Sequence, residues 1–110
     1  MTYQEIAQMI ESIGLPFAYY QFSDDTEQTL PFICFLYDYN YTYADDSNYA
    51  PSVILTIELY TDTKDIPLES AVEAVLGEHE MTWSKESVFI DSERMWQTSY
   101  SMEVFINGEE

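Results

Sequence analysis

The chain has 110 residues, with 21 acids against 3 Lys and Arg and a formal charge of −18. That balance argues against nucleic acid and anionic membranes as partners, since both are bound through cations facing phosphate. Hydrophobic residues make up 46% and aromatics 16%, which suits one domain with a buried core and does not suit an acidic disordered tail.

The acids are dispersed. Residues 1–55 hold eight carboxylates and no Lys or Arg; the other thirteen share the second half with Lys64, Lys85 and Arg94. Self-repulsion of this size favours solubility and works against compactness. Cys34 is the only cysteine, so no internal disulfide forms, and its place in "FICFL" predicts a buried, inert thiol. The start "MTYQEIAQ" lacks the basic and apolar regions of a secretory leader, and no apolar run reaches the ~20 residues of a membrane span. Folding in a cytoplasm is the expectation.

In chain order, "TYQEIAQMIESIG" predicts a helix. Thr2 and Glu5 fit a capping box, Ile6, Met9, Ile10 and Ile13 form an apolar stripe, and Gly14 and Pro16 fit its end. "PFAYYQF" predicts a short aromatic strand, followed by the polar loop "SDDTEQTLP". "FICFLYDY" predicts a central strand, with Phe32, Cys34 and Leu36 on one face and Ile33, Phe35 and Tyr37 on the other. After a long connection, "SVILTIELY" alternates with period two. Val53, Leu55, Ile57 and Leu59 share one face; Ile54, Thr56, Glu58 and Tyr60 share the other.

Asp65 and Pro67 predict the start of a second helix. Leu68, Ala71, Val72, Val75 and Leu76 form its inward stripe, and Gly77 marks its end. "MTWSKE" and "RMWQTSYSMEVFI" predict the last two strands. The second sets Trp96, Thr98, Tyr100, Met102 and Val104 against Met95, Gln97, Ser99, Ser101 and Glu103. The expected fold is α+β, a single domain over 1–110 in the order α-β-β-β-α-β-β, with a flexible tail from about 106. Short links make the sheet mainly antiparallel, with two helices packed on one face. The other face carries Ile54, Tyr60 and one side of "FICFLY", so a homo-oligomer is expected to cover it.

The connection "YTYADDSNYA" is the richest candidate site, with Tyr41, Tyr43 and Tyr49 around Asp45 and Asp46. Asp38, Asn40 and Thr42 alternate like the start of an EF-hand loop, but Tyr43 stands where Gly is needed and Tyr49 where a bidentate Glu is needed. His79 is the only histidine, so a transition-metal cluster within one chain is not expected, and His79 suits a helix C-terminus. No metal or other cofactor is predicted. No serine lies in a G-x-S-x-G motif, and three glycines are too few for a phosphate loop. Paired carboxylates carry little information among so many acids, and no enzyme activity is expected. Three readings of the tyrosines stand: stacking on a sugar, contact with a protein, or cover for the sheet edge. Protein contact is preferred to sugar, because Tyr gives a large contact at low entropy cost.

The order of "GLPFAYYQF", "LPFICFLY", "YTYADDSNYA", "ILTIELYTDTKD", "ESAVEAVL" and "DSERMWQTSYSMEVF" resembles small neck proteins of tailed phages and prophages of Gram-positive bacteria, in the head-to-tail joining and tail-terminator group. The resemblance runs from Thr2 to about Phe105. Tyr43, Ala44, Asp45 and Asp46 match the family's loop, and Glu58, Leu59, Tyr60 and Thr61 its strand end; neither group is catalytic.

The resemblance implies αβ subunits in a closed, six-fold homo-oligomeric ring at the virion neck, assembled in the host cytoplasm. Its partners would be the tail tube protein and the head connector or stopper protein. DNA would pass the ring unbound, and no membrane would take part. On this reading Tyr41, Tyr43, Asp45, Asp46, Tyr49, Ile54 and Tyr60 are candidate interface residues. The acidity exceeds what the family pattern requires and leaves a different neck ring open. The alternative is a DNA-mimic inhibitor, which presents carboxylates at phosphate-like spacing to a DNA-binding enzyme.

Overall fold

The computed structural model describes residues 1–22, 28–40 and 52–107. In chain order the elements are α1 (Tyr3–Glu11), β1 (Phe17–Tyr19), β2 (Phe32–Asn40), β3 (Ser52–Thr61), α2 (Ile66–Glu78), β4 (Ser84–Ile90) and β5 (Met95–Phe105). This is the expected α+β succession.

The capping box starts α1. The Glu5 N–H donates to Thr2 Oγ1 at 3.0 Å, and the Thr2 N–H donates to Glu5 Oε1 at 2.8 Å. Two helix-end donors are thereby satisfied. Ile6, Met9 and Ile10 are buried, as their spacing requires. The helix ends sooner than the Gly14 signal suggests. Ser12 caps it and its Oγ donates to the Met9 carbonyl at 2.6 Å, a local bond that competes with another helical turn. Gly14 then takes φ +93°, a left-handed conformation that costs glycine little.

The sheet order is β1-β2-β3-β5-β4. β1 pairs with β2 in parallel, and the other three pairings are antiparallel. A parallel neighbour cannot follow from a tight link, and residues 20–31 separate β1 from β2. β5 lies between β3 and β4, so β3, α2 and β4 form a split crossover. Val53, Leu55, Ile57 and Leu59 of central β3 are fully buried with Tyr100, Met102 and Val104 of β5. Ile6, Met9 and Ile10 of α1 and Val72 and Leu76 of α2 belong to the same core. Both helices therefore cover one face of the sheet, where each such side chain contributes about 1.5–3 kcal/mol by leaving water.

α2 starts where expected, with the Leu68 N–H donating to Asp65 Oδ1 at 3.1 Å. Its inward stripe differs. Ala71 is exposed, whereas Glu69 is buried with Val72 and Leu76. Gly77 lies inside the helix, which runs to Glu78 and is capped by His79. β4 begins at Ser84 and continues to Ile90, beyond the predicted "MTWSKE". As an edge strand it is largely exposed and shows no strong apolar alternation. Met81 and Trp83 precede it and pack partly against the core. The expected tail also needs correction at its first residues. Ile106 is buried, and the Asn107 N–H donates to the Met1 carbonyl at 3.0 Å. Residues 108–110 lie outside the described residues.

Candidate assembly surface

The register sorts the open face into rows across β2, β3, β5 and β4. The first is Phe32, Tyr60, Gln97 and Val88; the second is Cys34, Glu58, Ser99 and Glu86. The third is Leu36, Thr56, Ser101 and Ser84, and the fourth is Asp38, Ile54 and Glu103. Apolar residues are scattered over it, with Phe32, Cys34 and Leu36 on β2, Ile54 on β3 and Val88 on β4, whereas Gln97, Ser99, Ser101 and Glu103 make a polar strip along β5. The expected second apolar face is therefore a mixed one. Part of its cover comes from the chain itself: Phe22, in the β1–β2 connection, lies edge-on to Phe32 with ring centres 5.3 Å apart.

The interface candidates divide accordingly. Tyr60 and Ile54 both lie on the open face but not together. They are six positions apart along β3, about 20 Å of extended chain, and Ile54 sits between Asp38 and Glu103. Tyr41, Tyr43, Asp45, Asp46 and Tyr49 lie outside the described residues.

Around Tyr60 the face becomes a groove of about 750 Å³. Tyr60 stacks on Phe32, with ring centres 5.1 Å apart. The groove runs from Tyr20, Phe22 and Leu30 across Cys34 and Glu58 to Ile90, Glu93 and Met95 at the β4–β5 hairpin. Tyr20 is an exposed aromatic in the left-handed region, at φ 69°, where a bulky residue is uncommon. Glu58 is held in place by a relay. Gln97 Nε2 donates to Tyr60 Oη at 2.8 Å, and Tyr60 Oη donates to Glu58 Oε1 at 2.9 Å. Burial pushes the Tyr60 phenol well above its usual range, reinforced by the Glu58 carboxylate. Burial likewise raises the Cys34 thiol, helped by the charge of Glu58. This thiol is buried, as expected, and poorly ionised.

A second polar cluster lies on the helix side. The Glu69 carboxylate, with 2% of its side chain exposed, meets Lys64 Nζ at 2.6 Å and Lys85 Nζ at 2.9 Å. Lys85 also meets Glu73 at 2.7 Å, and Tyr100 Oη donates to Glu73 Oε2 at 2.9 Å. The Lys85 contact with Glu69 Oε1 is an ion pair rather than an aligned hydrogen bond, since that oxygen has no well-directed donor. Burial drives the Glu69 carboxyl upward, but the two ammonium groups outweigh it and hold the group below the usual carboxylate range. Two of the chain's three Lys and Arg side chains are thus paired with its own carboxylates. Apolar periodicity could not find this cluster, because it passes over a buried acid whose partners come from other elements.

His79 caps the end of α2, where its Nδ1 lies 3.0 Å from the Val75 carbonyl. Compared with protein-family models, curated proteins and solved structures, the chain yields no match.

Proposed function

We propose that the chain is a structural subunit of a tailed-phage neck, a ring-forming tail terminator that caps the tail tube and meets the head connector. The supporting observation is the open face, where an aromatic groove on the β2 side is left uncovered by both helices. Such a surface suits a subunit that is completed by neighbours. On this reading the loop from Tyr41 to Tyr49 contacts neighbouring subunits or the tube, and the groove receives another component. The acidity suits a channel through which DNA passes without adhering, since a negative lumen repels phosphate. The test is to mix the purified chain with tail tubes of the phage that encodes it and to image the product. Six-fold caps at one end of the tube support the reading; tubes that remain bare contradict it.

The bound lysines favour a second reading. With Lys64 and Lys85 tied to Glu69 and Glu73, Arg94 is the remaining Lys or Arg of the chain. An outward field so dominated by carboxylates also suits a DNA mimic. That role requires salt-sensitive binding to a basic nuclease or polymerase, which a tail terminator does not require.

A further inference from the structure

We propose that the groove around Tyr60 seats a cationic side chain, arginine in preference to lysine, carried by a segment of a different protein. The inference rests on reading the open face as a contact surface, whichever particle is built. Three features support it. The walls are aromatic, with Phe22, Phe32 and Tyr60 among them, while Glu58 lies within the groove and Glu93 also lines it. Among the described residues that line it there is no Lys or Arg. Tyr60 Oη, itself held by Gln97, fixes the Glu58 carboxylate in place. Aromatic faces beside an oriented carboxylate suit a planar guanidinium, which stacks on rings and donates in a fork.

The volume, about 750 Å³, leaves room for residues flanking the cation. A second copy of this chain is a poor occupant. It brings the same charge of −18, and its Lys64 and Lys85 are held by Glu69 and Glu73. Its Arg94 adjoins Glu93, itself a lining residue, so contact through it sets one acidic groove against another. Charge complementarity therefore points to a basic segment on another protein.

The test uses small probes and the full chain near 0.15 M salt, followed by backbone NMR shifts. The probes are N-acetyl-arginine amide, N-acetyl-lysine amide and the uncharged isostere N-acetyl-citrulline amide. Arginine is expected to bind more tightly than lysine, moving the signals of Cys34, Glu58, Tyr60 and Gln97. Citrulline should bind about tenfold more weakly than arginine, the scale of one charge-assisted hydrogen bond. Glu58→Gln should weaken arginine binding by about the same factor. Glu11→Gln, which removes an exposed acid on α1, should change it by less than about twofold because salt screens distant charges. Equal binding of arginine and citrulline, equal loss in both variants, or shifts spread over the whole acidic surface would overturn the proposal. Lysine binding as tight as arginine would overturn the stated preference. Failure here leaves the neck reading standing, because that reading is decided by tube capping.

Discussion

Replacing Lys64 and Lys85 together with Met removes both cations from Glu69. The carboxylate has 2% of its side chain exposed, and the lost contacts are 2.6 Å and 2.9 Å long. Thr98 Oγ1, at 3.4 Å, is a weak remaining donor. Leaving a buried charge uncompensated costs about 3–5 kcal/mol, a large part of the ~5–15 kcal/mol that holds a domain folded. Glu69→Leu should cost much less, under about 1.5 kcal/mol, because the two lysines are 36% exposed and can turn to water. The assay is urea unfolding at pH 7 and pH 5, above the sequence pI of 4.1.

The pH dependence follows from the direction of each shift. With its lysines, Glu69 has a lowered folded pKa, so its stabilisation is present above the unfolded value near 4.3 and is lost as pH falls through the folded value. Without them, burial raises the folded pKa, so the penalty is full at high pH and shrinks as the group takes up a proton. The gap between wild type and double variant should therefore narrow from pH 7 to pH 5. A loss below about 1 kcal/mol at pH 7, the scale of exposed ion pairs, would refute the reasoning, as would a gap that stays constant.

Thr2→Ala should destabilise by about 1 kcal/mol through loss of the capping box, measured by the same unfolding assay. In a spectrophotometric titration, Tyr37 should ionise near its value of about 12, raised by burial and by neighbouring tyrosines, while Tyr60 and Tyr100 ionise later still. Their raised folded values mean that this stabilisation is present below about pH 10 and is lost as pH rises above it, so Tyr37→Phe should lessen the alkaline loss. Changing Tyr43 and Tyr49 together to Ala should leave the circular dichroism of the monomer unchanged while impairing assembly on tail tubes; loss of the fold would place those rings in the core.

Much of the fold was legible where side-chain period and burial coincide. Val53 to Leu59 alternate because β3 is central, and Thr2 with Glu5 marks a helix start by local hydrogen bonds alone. β4 was harder to delimit, since an edge strand carrying Lys85, Glu86 and Ser87 buries too little to impose a pattern. The polar side of the open face was visible as Gln97, Ser99, Ser101 and Glu103, yet its meaning depends on β5 lying beside β3 rather than at an edge. Tyr60 could be placed on that face from period two, but its relay to Glu58 and Gln97 depends on register. Glu69 was illegible for a different reason: its burial is made tolerable by Lys64 and Lys85, which the fold brings together from either side of α2.

The most direct test of the central claim is negative-stain imaging of phage particles produced with and without this chain. The neck reading predicts tails of unregulated length, or full heads that lack tails, when the chain is missing. Normal particles in its absence would contradict it.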